Sequence, residues 1–201
     1  MTMDNSSSSR PPGTPVTGWR SIQWWPALLG LAFATFLAID LFSGAEHGTD
    51  FAAVVAASGL VYLAAASLEV PWISWPVFLL SVAIITVARL GLIPLEATWL
   101  MLMVAGFFAA YGVIRALRRP NHDLPLQATA MVAFGGSAVL ALFVNPALGA
   151  LLVAVGLFAH AGWDAYHHVN NKVVVRSMAE FCFVLDGVLA TAIVIATLRS
   201  V

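Results

Sequence analysis

The sequence predicts an all-helical integral membrane protein with seven transmembrane helices. Of its 201 residues, 61% are hydrophobic and only 9% are charged, whereas a soluble domain carries roughly 25% charged residues. The apolar residues form runs of about 20, the length that a helix needs to cross the hydrocarbon core. No alternation of period two continues through these runs, so helices are the spanning elements.

The seven apolar runs are separated by short polar breaks, several of which contain Pro or Gly. The predicted spans are 22–43, 51–70, 72–90, 95–117, 124–144, 146–168 and 173–198. Pro76 and Pro146 lie near the starts of their runs, where a missing amide proton costs little. The stretch LEVPWISWP leaves a very tight connection between the second and third runs, so one of that pair could be tilted or partly re-entrant.

The first 21 residues differ from the rest because they are rich in Ser, Pro and Gly. Such a segment has almost nothing to bury, so we predict a disordered cytoplasmic tail over 1–21 and a single transmembrane domain over 22–201. A secretory signal would have a shorter apolar core, and we therefore expect the first run to be a retained helix.

The basic residues predict the orientation. With seven spans, one face of the membrane receives seven of the nine basic residues and the other face receives only Arg89 and Arg199. The seven are Arg10, Arg20, Arg115, Arg118, Arg119, Lys172 and Arg176. The positive-inside rule then places the N-terminus inside and the C-terminus outside.

Ionisable residues cluster where the sixth run ends, in the stretch HAGWDAYHH. At 100° per residue, His160, Asp164, His167 and His168 fall within an arc of about 100° on one helix face. The seventh run turns back at once and carries Glu180 near its start, at about the depth of His160 and Asp164. We therefore expect His160, Asp164 and Glu180 to converge. Asp186 lies about 120° round the helix from Glu180 and need not belong to the same cluster.

Three kinds of function and one purely structural role fit these residues. His160, Asp164, His167, His168 and Glu180 are candidate ligands of a divalent metal ion such as zinc, iron or manganese. Without a metal, Glu180 and Asp186 are candidate general acid and base in a dry pocket. The same groups could also form a proton or ion path, or a polar network that only holds the two helices together.

Carboxylates elsewhere have simpler interpretations. Asp40 and Arg89 both lie near the outer ends of their helices, on the same side of the membrane, which predicts a salt bridge between them. Glu69, at the end of the second run, is either a fourth carboxylate of the cluster or an ordinary interfacial acid.

Cys182 is the one cysteine, which excludes an internal disulfide. The net charge of −1 gives no reason to expect a nucleic-acid partner.

Two resemblances bear on the cluster. WDAYHH resembles the histidine box H-x-x-H-H of membrane hydroxylases and desaturases, with Asp164 in the place of the first His. Those families carry several histidine boxes. Here the other two histidines, His47 and His122, lie in loops on opposite faces of the membrane, so a di-iron assignment does not follow. The stretch 160–186 is also similar to uncharacterised bacterial seven-helix integral membrane proteins, which brings no activity with it.

The leading functional hypothesis is a membrane-embedded enzyme in the bacterial cytoplasmic membrane. Its substrate would be a lipophilic small molecule taken from the bilayer near the cytoplasmic leaflet. A non-enzymatic protein with a structural polar cluster is the alternative, and a small proton-coupled transporter is the third. The sequence predicts no oligomeric state.

Overall fold

The computed structural model describes residues 24–200, and within them the chain folds into seven long helices. The helices are α1 (Trp24–Ser43), α2 (Ala52–Leu68), α3 (Ser74–Arg89), α4 (Ala97–Ala116), α5 (Leu124–Phe143), α6 (Pro146–Asn170) and α7 (Arg176–Ser200). Together with short 3-10 turns that extend α2 and α3, all seven are long and apolar enough to cross a membrane. The predicted tail over 1–21 lies outside the described residues.

Local chemistry explains where the helices begin and end. Asn145 caps α6 by accepting a hydrogen bond from the Leu148 amide at 2.9 Å, and Pro146 follows it as the first helical residue. Glu96 caps α4 by accepting from the Thr98 amide at 2.8 Å. Both arrangements satisfy amides that have no partner within the helix.

The tight connection after α2 joins two continuous helices, α2 and α3. Glu69 ends α2 in the left-handed conformation, with φ of 56°. The 3-10 turn Pro71–Ile73 follows and leads directly into α3. Both segments of this pair are therefore continuous helices, each long and apolar enough to cross a membrane together with its 3-10 turn.

Helix α2 is the centre of the bundle. All but two of its 17 residues are buried, and it packs against α3, α4, α5 and α6. Helix α6 packs against α7, as expected for neighbours joined by a short loop, and α7 packs against α1. Gly30 permits the last contact, because a Cβ at this position would lie 2.5 Å from the carbonyl oxygen of Phe181.

Two ion pairs lie at opposite ends of the bundle. Arg89 bonds Glu46 at 3.3 Å, so the predicted pair with Asp40 is wrong. The loop between α1 and α2 brings Glu46 back over the end of α3, a position that helix spacing alone does not reveal. At the other end Arg115 bonds Glu69 at 2.9 Å, so Glu69 pairs with a basic residue at the end of the bundle and does not join the cluster.

Candidate metal centre

Three helices bring four polar side chains together in the interior. His160 and Asp164 lie one turn apart on α6, Asp186 lies on α7 and Tyr62 on α2. His160 is ten residues from the end of α6, and Asp186 is ten residues from the start of α7, or about 15 Å along each helix axis. The group is therefore close to the middle of the bundle, where water is most distant.

The imidazole of His160 lies between two carboxylates. Its Nδ1 atom is 2.8 Å from Oδ2 of Asp186 and 3.1 Å from Oδ2 of Asp164. The Tyr62 hydroxyl donates to the other oxygen of Asp164 at 2.7 Å. His160, Asp164 and Asp186 are each 0% exposed. We call these three residues the acidic triad.

The acidic triad is incompletely satisfied. His160 Nε2 and Asp186 Oδ1 are buried and have no hydrogen-bond partner, and Asp164 Oδ2 has none either, because the single Nδ1 site of His160, 3.1 Å away, bonds the closer Asp186. Among the described residues, neither carboxylate forms a salt bridge with a lysine or arginine, and His160 is the only basic group beside them. Buried polar atoms without partners are rare in native proteins, and each calls for an explanation.

A metal ion fits the spacing of the ligand atoms. One ligand atom from each triad residue can be chosen so that all three lie within 4.8 Å of one another. Metal–ligand bonds of about 2.0–2.2 Å separate neighbouring ligand atoms by about 2.8–3.1 Å at right angles and by about 3.3–3.6 Å at the tetrahedral angle. The distances from Nδ1 to the two carboxylate oxygens, 2.8 and 3.1 Å, match the first range and are also those of N–H···O hydrogen bonds.

His167 has entirely different surroundings, although it lies on the same face of α6. Its Nδ1 donates to the carbonyl of Trp163 at 2.9 Å, so its Nε2 must accept from the Gln127 amide at 3.1 Å. The Gln127 carbonyl oxygen accepts in turn from the Trp163 indole at 3.3 Å. Both ring nitrogens are therefore occupied, and His167 offers no free atom to a metal in this arrangement.

The remaining predicted site residues lie outside the acidic triad. Glu180 is half-buried on the outward side of α7, the side that also exposes Phe183 and Thr191, and Asp186 takes the place in the cluster that we expected for Glu180. His168 is half-buried, and its Nδ1 lies 3.3 Å from the Arg176 carbonyl. Since Glu180 and Asp186 are about 120° apart on α7, they face different surroundings.

Comparison with protein-family models, with curated proteins and with solved structures finds no significant match to this chain. The geometry of the acidic triad therefore carries the functional interpretation by itself.

Sequence reasoning did not single out Tyr62 or Gln127. Both are polar side chains inside apolar runs, Tyr62 in VYLAAAS and Gln127 in LPLQATA. A polar group inside a membrane helix must find a partner. The position of each residue within an apolar run could therefore have marked it as a member of a polar cluster. Tyr62 also lines the site with its ring, whose centroid lies 5.4 Å from that of His160, and Phe134 lies opposite at 5.1 Å.

Proposed function

We propose that this protein is a membrane-embedded metalloprotein that holds a divalent transition-metal ion in the acidic triad and acts on a lipophilic substrate. The observation that carries the proposal is the convergence of three buried ligand atoms beside polar atoms that have no partner. One histidine and two aspartates suit Mn²⁺, Fe²⁺ or Zn²⁺, because imidazole and carboxylate ligands are both common for these ions.

The charge balance supports a divalent ion. Two ionised carboxylates in the interior of a membrane protein are costly without compensating charge. A divalent cation bound by Asp164, Asp186 and a neutral His160 gives a centre of zero net charge. A lone proton on His160 would leave one negative charge uncompensated unless a carboxyl group also held a proton.

His160, Asp164 and Asp186 would hold such an ion with three protein ligands, and a water or substrate would take a further place, as in catalytic metal sites. A metal ion in such a site polarises a substrate oxygen or activates a bound water. Tyr62 would orient Asp164 through its hydrogen bond, the role that outer partners of metal ligands usually have. Since the triad is enclosed by membrane helices, a substrate from the bilayer is the class that best fits.

A proton-binding function is the second candidate, and one observation favours it. Tyr62, Asp164, His160 and Asp186 form a continuous series of polar contacts across α2, α6 and α7. Such a series could hold or pass a proton in a small transporter without any metal. Metal content separates the two candidates.

The test is metal analysis of the full-length protein, purified in detergent from cells grown with Mn, Fe and Zn. We expect about one equivalent of one of these metals in the wild type and loss of that metal in His160→Ala and Asp186→Asn. Glu180→Gln and His168→Ala are matched controls outside the triad and should retain it. A metal-free wild type that does not bind these ions when they are added would overturn the metal proposal.

We also propose the orientation with the N-terminus in the cytoplasm and the C-terminus outside. The support is the basic bias at one end of the bundle, where Arg115, Arg118, Arg119, Lys172 and Arg176 lie. Cysteines introduced at the exposed positions His122 and Ser200 should react with an impermeant thiol reagent from opposite sides of the membrane. Native Cys182 is buried and should contribute little background. Labelling of both positions from one side would contradict the proposed orientation.

A further inference from the structure

A groove separates α1 from α3 on the membrane-facing side of the bundle. Its cavity volume is about 190 Å³. The floor is formed by Ala57, Ser58 and Val61 of α2 together with Cys182 and Leu185 of α7. Phe33 and Phe78 narrow one end, with ring centroids 6.0 Å apart, and Arg89 lies at the other end.

The lining offers almost no free hydrogen-bonding group along its length. The hydroxyls of Ser58, Ser81 and Thr86 each donate to a backbone carbonyl of their own helix, at 2.8–3.0 Å. The other lining residues between the phenylalanines and Arg89 are hydrocarbon side chains and the thiol of Cys182. A polar ligand would therefore find few partners here, whereas a hydrocarbon chain needs none.

The length of the groove matches one leaflet of a bilayer. Phe78 and Arg89 are eleven residues apart on α3, or about 16 Å along the axis. Half of the hydrocarbon thickness of a typical bilayer is about 15 Å. Because a lipid acyl chain occupies one leaflet, the groove has the length of one such chain.

The open end carries a mixed set of charges. A polar recess with a cavity volume of about 230 Å³ shares Ile85 and Arg89 with the groove and also contains Glu46, Asp50 and Glu96. Glu46 bonds Arg89 at 3.3 Å, Glu96 caps α4 through Thr98, and Asp50 accepts from the His47 amide, so the recess holds one guanidinium among three carboxylates that each already have one partner in the protein. Such a rim complements a headgroup that has both a phosphate and an ammonium group, and it disfavours a headgroup with only negative charge.

We propose that the groove binds one acyl chain of a phospholipid whose headgroup contains an ammonium group. The phosphate of that lipid lies against Arg89, and the ammonium group lies among Glu46, Asp50 and Glu96. This binding site is separate from the acidic triad and does not depend on a metal there. It makes the protein a specific binder of zwitterionic lipid.

The first test compares two Val→Trp variants of the full-length protein. Val82 lies on the wall of the groove, whereas Val113 is 56% exposed on α4 and lies away from the groove. Each protein is delipidated, reconstituted with phosphatidylethanolamine, and exchanged into mild detergent before native mass spectrometry. We expect about one retained lipid in the wild type and in Val113→Trp, and at least about a tenfold loss in Val82→Trp, since the indole fills the groove.

Equal retention by the two tryptophan variants would show only annular lipid and would overturn the proposal. Conversion of a dimer to a monomer by Val82→Trp, without bound lipid in the wild type, would assign the groove to a second copy of the chain and would also overturn it.

The second test addresses the headgroup. The wild type should retain phosphatidylethanolamine at least about tenfold better than phosphatidylglycerol, because the second lipid lacks the ammonium group. Arg89→Gln should reduce retention of phosphatidylethanolamine by a similar factor through loss of the phosphate contact. Retention of phosphatidylglycerol equal to that of phosphatidylethanolamine would overturn the headgroup assignment.

Discussion

His160 and His167 lie two turns apart on one face of α6, and both are buried. Every polar atom of the His167 imidazole has a partner, supplied by Gln127 and by the backbone of Trp163. His160 lies between two carboxylates, and its Nε2 atom has no partner. The two histidines thus differ in whether their ring nitrogens have hydrogen-bond partners and in the charge of their neighbours, although both lie on the same face of α6.

The difference separates a structural histidine from a candidate ligand. A neutral and fully hydrogen-bonded group requires nothing further from its surroundings. A histidine between two carboxylates, with buried atoms that have no partner, calls for compensating positive charge, which the proposed metal ion or protons on the triad would supply. Substitutions at the two sites should therefore have different consequences for metal binding and for stability.

The largest expected effect is on stabilisation by the metal itself. A ligand that binds only the folded state at about a thousand times its dissociation constant stabilises that state by about 4 kcal/mol. We expect addition of the bound metal to raise the thermal midpoint of the wild type and a chelator to reverse the rise. Differential scanning fluorimetry in detergent measures both. His160→Ala should not respond to either treatment, and an equal response would contradict the proposed centre.

The next effect concerns the neighbouring histidine. Gln127→Ala leaves His167 Nε2 and Trp163 Nε1 without partners, which should cost about 1–3 kcal/mol of stability. Metal content should not change, because no member of the acidic triad is altered. Asn170→Ala, an exposed amide on the same helix, should remain within about 0.5 kcal/mol of the wild type. Loss of metal from Gln127→Ala would show that the two sites are not independent.

Tyr62 belongs to the surroundings of His160 and should have an intermediate effect. Tyr62→Phe removes the 2.7 Å hydrogen bond to Asp164 and keeps the ring that packs on His160. Removal of such an outer partner typically weakens metal affinity by about 10–100-fold. Metal titration measures the change, and the exposed Tyr166→Phe is the control. An unchanged metal affinity in Tyr62→Phe would remove Tyr62 from the proposed centre.

The smallest effect concerns the end of the bundle. Burial raises the pKa of Glu46 above its ordinary value of 4.5, Arg89 opposes the rise, and Asp50 and Asp40 add to it. Because the folded state keeps this proton to higher pH than the unfolded state, the associated stability is present below pH 4.5 and is lost as the pH rises through the folded pKa. The loss should be below about 1 kcal/mol, since surface charges are screened.

Thermal midpoints measured from pH 4 upward should show this slight decline in the wild type. Glu46→Gln cannot titrate and should flatten the profile over that range, whereas Glu69→Gln at the opposite end should keep the decline. A profile of Glu46→Gln identical to that of the wild type would assign the decline to another group.

The helices were predicted closely because the information that defines them is local. The predicted span 95–117 became Ala97–Ala116, and 124–144 became Leu124–Phe143. Hydrophobic run length and the polar residues that flank each run act within one segment, so they need no knowledge of the neighbours. The packing of α6 against α7 also followed from their short loop.

The membership of the cluster was predicted only in part. His160 and Asp164 share a helix turn, so their proximity followed from spacing alone. The third member depends on which side of α7 faces α6, and the structure turns Asp186 inward and Glu180 outward. The sequence of α7 does not predict which of its sides faces α6, because contacts with α1 and α6 set the rotation of α7 about its axis.

By itself, the sequence indicated a protein of the lipid bilayer, and it predicted the seven apolar segments and the polar face of α6. These properties follow from composition and from helix periodicity. Only the tertiary structure decided that Asp186 joins His160, that Gln127 satisfies His167 and that Glu46 replaces Asp40 beside Arg89. The physical reason is that partner choice depends on how helices rotate and pack against one another, and long-range contacts between different segments set that arrangement.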